Sequence, residues 1–448
     1  MKRHAEYKDS GIAWVGKVPK AWQIMRLKNI LVERKEKNDP IQTDFILSLT
    51  AEKGVIPYSE KNTGGNKAKE DISKYKLAYP GDVVLNSMNV VSGAVGLSNY
   101  FGAVSPVYYT LYPRTEKCYI KYYNNIFQSY SFQRSLLGLG NGILVKYSEE
   151  TDKLNTVRLR IPIDKLNNIL LPIPSMEEQI KISSYLDDRR SQIDELITNK
   201  LKLIDLLAEK RQVIISETVT KGLDKNVKMK DSDVEWIGEM PEGWKTKKFG
   251  YLFSFGRGLN ITKADLLDEG VPCVSYGEIH SKYGFEVNPD VYPLRCVDTE
   301  YLQTSPSSLL KHGDFVFADT SEDIEGSGNF TCLNSDTPVF AGYHSVIARQ
   351  KENHNYRYLS YLFDSIGFRS QIRCKVSGIK VFSITQTILK DTVVILPPAY
   401  EQNAIAEYLE EKTVQIDRVV SDIQTQIEKL KEYRQSIISE AVTGKVAI

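Results

Sequence analysis

Apolar residues recur at alternating steps of four and three along two stretches of this chain. In the first they fall at Ile193, Ile197, Ile204, Leu207 and Ile214, with Lys200 and Arg211 occupying two positions of the same stripe. In the second they fall at Ile416, Val420, Ile423, Ile427, Leu430, Ile437 and Ala441, with Arg434 in the stripe. A sustained 3.5-residue period marks helices packed along one another. Core packing is the first explanation of such a stripe, and the two stretches are expected to pair antiparallel within the chain. Prolines at 172 and 174, and at 397 and 398, stop the strand before each helix. Ser175 is placed to cap the first helix, with Glu177 and Glu178 in its first turn, where acid suits the positive dipole end. Elsewhere, short runs dense in aromatic and β-branched residues alternate with Gly/Asn/Ser/Asp clusters. They predict strands near 82–85, 107–111, 314–317 and 345–348. A helix is expected near 120–137 and another near 356–372.

These elements come in two sets. Trp14-Val15-Gly16-Lys17-Val18-Pro19-Lys20-Ala21-Trp22 returns as Trp236-Ile237-Gly238-Glu239-Met240-Pro241-Glu242-Gly243-Trp244, an offset of 222. Glu178-Gln179, Tyr185-Leu186, Ile193-Asp194 and Ser216-Glu217 return at an offset of 223 as Glu401-Gln402, Tyr408-Leu409, Ile416-Asp417 and Ser439-Glu440. The two seams obey the same offset, and Arg211 and Arg434 interrupt them at the same level. A unit of ~220 residues is far longer than a solenoid repeat of 20–50, so this is a tandem duplication of a domain plus a helix. The division expected is 1–174 (first domain), 175–222 (first helix), 223–398 (second domain) and 399–448 (second helix). The fold class is α/β (α+β): two mixed domains, each followed by a long helix, the helices forming an antiparallel coiled coil with pseudo-two-fold symmetry. A duplicated chain suits a two-fold target or two copies of a partner.

Composition narrows the class without naming a function. The chain has 448 residues, 42% of them hydrophobic and 26% charged, which is ordinary for a globular protein. No apolar run reaches the ~18–20 residues of a membrane helix. Residues 1–10 lack the apolar centre of a signal peptide. Cys118, Cys273, Cys296, Cys332 and Cys374 are scattered and show no metal-ligand spacing, which fits reduced thiols in a cytoplasm. A net charge of +1 leaves any nucleic-acid face to local patches.

The search for catalytic chemistry returns decoys. Leu396-Pro397-Pro398-Ala399-Tyr400 lacks the amide and adjacent aromatic with which amino-methyltransferases grip a flipped base. Phe255-Gly256-Arg257-Gly258 fits neither a dinucleotide fingerprint nor a P-loop and reads as a tight turn. Glu410-Glu411-Lys412 imitates the tail of a nuclease motif on what reads as a solvated helix face. The five histidines, His4, His280, His312, His344 and His354, show no metal-ligand spacing. His344 reads as a structural histidine opening a buried strand. No G-x-S-x-G nucleophile elbow occurs.

Four motifs, duplicated in order, then carry a resemblance. They are W-[IV]-G-x-[MV]-P-x-x-W at 14–22 and 236–244; Gly81-Asp82-Val83-Val84 running to Gly96, and Gly313-Asp314-Phe315-Val316 running to Gly328; Leu-Pro followed by Glu178-Gln179 and by Glu401-Gln402; and the helix ends 211–220 and 434–443. Over essentially its full length the chain resembles the specificity subunit of type I restriction–modification enzymes. The resemblance implies two target-recognition domains, each reading one half of a split sequence in double-stranded DNA. It implies helices that separate them and dock two modification (methyltransferase) subunits. A motor and nuclease (restriction/translocase) subunit joins for cleavage. S-adenosylmethionine, ATP and Mg act on those partners, and this chain is non-catalytic, with no cofactor of its own. Residues 45–70 and 255–290 differ, so the two half-sites are expected to differ. The 26 residues from Ile193 to Thr218 would span about 39 Å as a helix, close to the roughly 34–36 Å of one duplex turn. The alternatives are a stand-alone DNA methyltransferase or nuclease with divergent motifs, and a coiled-coil adaptor without DNA affinity.

Base edges in the major groove are read by Arg or Lys on guanine and by Asn or Gln on adenine, whereas phosphates need only positive charge. In the first domain the candidates are Lys61, Asn62 and Lys67 in a basic Gly/Asn loop, Asn86 and Asn89 after the Gly-Asp strand, and Lys146 closing a Gly/Asn turn. In the second they are Arg257, Asn260 and Lys263 after a Gly turn, and Lys380. Asp319, Glu322, Asp323 and Glu325 make the sequel to the second Gly-Asp strand acidic, suited to accepting from cytosine amino groups or to staying off the duplex. Tyr58 and Tyr283 are placed either to stack or to pack.

Overall fold

The computed structural model describes residues 4–51, 53–61, 68, 71–143, 147–148, 153–154, 158–378 and 380–448. Two compact units result: residues 1–200 with 424–448, and residues 201–423. Both long helices are present, Met176–Lys221 and Ala399–Val442. Each unit therefore holds one α/β domain, a length of one long helix and a length of the other.

In the first unit a four-stranded antiparallel sheet runs Leu31–Glu33, Tyr108–Pro113, Val83–Asn86, Val95–Leu97. Its inward side chains, Val83, Leu85, Tyr109 and Leu111, pack with Tyr122, Phe127 and Phe132, and with Ile437, Ile438 and Val442 from the end of the second helix. In the second unit a five-stranded sheet runs Phe253–Arg257, Ser345–Gln350, Phe315–Ala318, Phe330–Leu333, Glu286–Val287, the last pair parallel. Its core is richer in phenylalanine. Phe249 stacks on Phe253 at 4.3 Å between centroids, and Phe363 lies 5.0 Å from Phe315 and 4.7 Å from Phe368. Such aromatic pairs add to area burial through their ring geometry.

The sequence expected one helix near 120–137 and one near 356–372. Each is instead a pair: Ile120–Gln128 with Tyr130–Ser135, and Tyr356–Asp364 with Ile366–Arg373. The break falls at a buried serine that accepts a hydrogen bond from a backbone N–H of the next turn, Ser129 from Phe132 at 3.3 Å and Ser365 from Phe368 at 3.3 Å. A serine N-cap competes with helix continuation even inside an apolar run.

The Gly-Asp element has a structural meaning in both units. Gly81 and Gly313 lie at φ +90° and +81°, a left-handed turn that glycine adopts without strain. The following aspartate is buried and ties the turn down. Asp82 accepts from Tyr79 N at 2.9 Å and from Arg34 Nε at 2.8 Å. Asp314 accepts from Lys311 N at 2.9 Å and from Arg349 Nε at 3.1 Å. Burial is the main influence on the Asp314 carboxyl and raises it above its ordinary range, against the pull of Lys311 and Arg349. Arg34 follows the strand Leu31–Glu33 whereas Arg349 lies within the strand Ser345–Gln350, so only the aspartate could be matched by sequence.

Candidate nucleic-acid interface

Each domain is fixed to its long helix by the duplicated motifs. Ser175 caps the first helix as expected, its Oγ accepting from Glu178 N at 3.3 Å while Glu178 accepts from Ser175 N at 3.1 Å, a capping box. Glu178 also accepts from the buried Trp22 indole at 3.3 Å, and Glu401 accepts from Trp244 at 2.9 Å. The neighbouring glutamines reach into the domains. Gln179 donates to the Lys117 and Pro174 carbonyls at 3.2 and 3.1 Å and accepts from Tyr119 N at 2.8 Å. Gln402 donates to the Pro397 carbonyl at 2.9 Å and accepts from Asn355 N at 3.0 Å. A buried tyrosine then engages the end of the other helix: Tyr122 donates to the Val442 carbonyl at 3.0 Å, and Tyr358 reaches Val219 at 3.4 Å and Ile395 at 3.0 Å. Burial holds both phenols well above their ordinary range, so they stay neutral donors.

The helix pairing inside each unit is antiparallel. In the first unit Lys200 donates to Gln426 at 2.6 Å and Arg434 pairs with Asp194 at 2.5 Å. In the second unit Arg211 pairs with Asp417 at 3.7 Å and with Asp364 of the domain at 3.2 Å. The two seam-breaking arginines thus face the aspartates of the duplicated Ile-Asp motif. They set register rather than bury surface, a recognised use of a polar residue in an apolar seam.

Asn62, Lys67 and Lys146 lie outside the described residues. Lys61 ends a short 3₁₀ turn and places its Nζ 5.7 Å from the Tyr58 ring centre. Tyr58 Oη accepts from Ala68 N at 2.9 Å, and the Tyr283 hydroxyl donates to Glu278 at 2.7 Å, so both tyrosines are held by their own loops. Asn86 spends its side-chain oxygen on Met88 N at 3.0 Å, which shapes the loop. Asn89, three residues further, is exposed at the head of a 3₁₀ turn and makes no side-chain capping bond.

In the second unit the chain from 257 to 263 alternates sharply. Leu259 and Ile261 are buried while Arg257, Asn260 and Lys263 are exposed. Backbone bonds from Gly258 to Ser345 and from Leu259 to Ala341, at 3.2 and 2.8 Å, pin this edge. The Thr262–Asp265 capping box ends it. Three candidates therefore lie along one anchored segment. The expectation of a tight turn at Phe255–Gly258 is corrected: Phe253–Arg257 is a strand. Gly258 is required because a Cβ there would sit 1.8 Å from the Gly342 carbonyl oxygen. Lys380 is exposed just before the strand Phe382–Ser383, which pairs with Thr320–Ser321.

That pairing borders a cleft of about 680 Å³ lined by Tyr276, His280, Thr320, Glu322, Asn329 and His344, among others. His344 is not in a buried strand: it sits at φ +53° in the turn before Ser345, its side chain 56% exposed and 3.2 Å from Asp319. The buried strand begins one residue later, at Ser345. His280 bridges the cleft wall, one ring nitrogen 2.8 Å from the Thr320 carbonyl and the other 2.9 Å from Asn329 Nδ2. Nothing in the local sequence around His280 signalled this. Among the described residues no group of histidine, cysteine, aspartate and glutamate side chains has metal-holding geometry, and no helix is long and apolar enough to cross a membrane.

Residues 241–429 match the family model described as type I restriction modification DNA specificity domain. The MjaVIII specificity subunit of a type I restriction enzyme from Methanocaldococcus jannaschii is 24% identical over 442 residues, 96% of this chain and 94% of that protein. The putative MjaX specificity subunit from the same organism is 24% identical over 455 residues, covering 97% and 96%. Among solved structures, the HsdS subunit from Thermoanaerobacter tengcongensis shares 14% identity with a TM-score of 0.52, over 96% of this chain and 98% of that one. A chain from a type I R-M system, solved in work on its complex assembly and conformational transition, shares 14% identity with a TM-score of 0.69, over 96% and 99%. At that identity the structural likeness is one of fold.

Proposed function

We infer that this chain, which belongs to the family of type I restriction–modification specificity subunits, is the DNA-recognition subunit of such a complex and is itself non-catalytic. The observation that carries the reading is the duplicated joint. In each unit the same indole–glutamate, glutamine–backbone and tyrosine–carbonyl contacts fix an α/β domain to the paired helices. The surfaces those joints present differ between the domains, which suits two different half-sites.

On this proposal residues 1–174 and 223–398 are the two readers, and 175–222 and 399–448 are the helices that hold modification subunits. Two such subunits, and a restriction/translocase subunit where cleavage occurs, would carry S-adenosylmethionine, ATP and Mg, all in the cytoplasm. Asn89, Arg257 and Asn260 are proposed base-edge contacts, and Lys61, Lys263 and Lys380 phosphate contacts. Asn86 is proposed to shape its loop rather than to read a base.

The chain is tested by incubation with labelled methyl donor and DNA, alone and with modification subunits. Methyl transfer requires the partners, and turnover by the chain alone refutes the reading in favour of a divergent methyltransferase. Exchanging residues 230–395 for the corresponding region of a relative changes one half of the methylated sequence. A change in both halves refutes modular reading.

A further inference from the structure

We propose that the first unit contains a phosphate-binding pocket built around Arg190. The pocket is a cavity of about 660 Å³ between the first domain and the helix pair, lined by Ser92, Gln133, Arg190, Thr198, Lys431 and Arg434, among others. Three cations and one carboxylate, Asp194, face it. Two of the cations are already matched. Arg434 pairs with Asp194 at 2.5 Å, and Lys431 with Glu428 at 2.8 Å.

Arg190 is not matched. One Nη donates to Asn125 Oδ1 at 2.5 Å, and its Nε is buried without a hydrogen-bond partner. Asp187 and Asp194 act on it through charge alone, and burial pulls its pKa below the usual value. The side chain is half-buried, and a guanidinium whose Nε is out of water and unbonded is poorly compensated without a hydrogen-bonded anion.

Pairing of the helices does not require an arginine here. Extending the four-three seam one step back from Ile193 lands on Arg190, where an apolar residue is expected. The position 223 residues later is Thr413, which bonds the Tyr361 hydroxyl at 3.0 Å. The cation is peculiar to the first unit. The Nη that does not bond Asn125 is the donor left for a phosphate.

The cavity rim includes Ser92 and Gly93, which close the turn that begins at the exposed Asn89. The phosphate is thus either a phosphodiester of bound DNA or a free phosphate group. The pocket does not depend on the DNA-recognition reading, because inorganic phosphate alone probes it.

The experiment uses the full chain. Thermal unfolding is followed with inorganic phosphate and with chloride at equal ionic strength, for the natural protein, Arg190→Gln and Arg190→Lys. Phosphate raises the midpoint of the natural protein, and Arg190→Gln loses that rise. Should Arg190→Gln not fold, Arg190→Lys keeps the charge without the guanidinium and weakens the response several-fold. In a second arm, duplex affinity is measured against salt. A slope reduced by about 0.9 in the variant assigns the pocket to a DNA phosphate. An unchanged slope with the phosphate response lost assigns it to free phosphate. The proposal is overturned if natural and variant proteins respond equally to phosphate, or if neither response nor slope depends on Arg190. Absence of specific DNA binding with the phosphate response intact would count against the DNA reading and leave the pocket standing.

Discussion

Replacing Gln402 with methionine isolates what holds the second domain to its helix. The side chain is 3% exposed and nearly matched in volume by methionine, so the change removes polarity and little shape. Two backbone groups lose their partner, the Pro397 carbonyl at 2.9 Å and the Asn355 N–H at 3.0 Å. Each orphaned buried group costs about 1–3 kcal/mol, and methionine recovers part of that through its apolar surface. The expected net loss is about 2 kcal/mol, roughly a 30-fold shift in the folding equilibrium. Urea unfolding read by tryptophan fluorescence measures it, because the buried Trp244 bonds to Glu401, the residue before Gln402. A midpoint that moves to lower urea with an unchanged slope is the predicted result. A loss below about 0.5 kcal/mol would refute the claim that this glutamine secures the joint, since that is the scale of an ordinary surface substitution.

Three further outcomes are expected. Burial holds the His354 imidazole below its ordinary value of 6.5, so the unfolded chain binds its proton first as pH falls. Stability is therefore lost as pH drops through about 6.5, and Asn at 354 flattens that part of the Tm-against-pH profile; an identical profile in the variant contradicts it. Gly444→Ala places a Cβ 2.4 Å from Pro19 Cδ at φ +70°, whereas Gly238→Ala, at φ +64°, meets nothing within 4 Å. The first should cost well over 2 kcal/mol and the second about 1, and equal costs by denaturant titration would defeat the steric argument. Arg257→Ala should weaken discrimination at a single position of one half-site by about 1–3 kcal/mol, while Lys263→Ala weakens all duplexes alike. Competition binding with singly substituted duplexes separates these effects, and loss at both half-sites would remove Arg257 from the readers.

The long helices were readable because a 3.5-residue period survives any local detail. The seam positions Ile193, Ile416, Ile423, Ile427 and Ile437 are indeed buried. The motifs around Trp22, Gln179 and their copies were readable as repeats, though their purpose needed the hydrogen bonds. Ser129 and Ser365 escaped because hydrophobic periodicity continues across a buried cap that competes only locally. Arg34 and Arg349 escaped because Asp82 is anchored from the segment after a strand and Asp314 from within one. Of the candidate contacts, Asn260 and Lys263 follow from polar positions alternating with buried Leu259 and Ile261. The loop-shaping bond of Asn86 depends on a backbone turn that composition does not encode. His344 was misread because a strand begins one residue after it.

The first unit is interrupted in sequence, whereas the second is one uninterrupted span, 201–423. Ile437, Ala441 and Val442 belong to the core of the amino-terminal domain. On the ribosome, then, the domain of residues 1–174 stays unfinished until residues 437–442 emerge, and the second unit can mature ahead of it. A stop codon before residue 437 would injure the first domain rather than the second, and a nascent chain caught before that point would expose the apolar wall meant for residues 437–442.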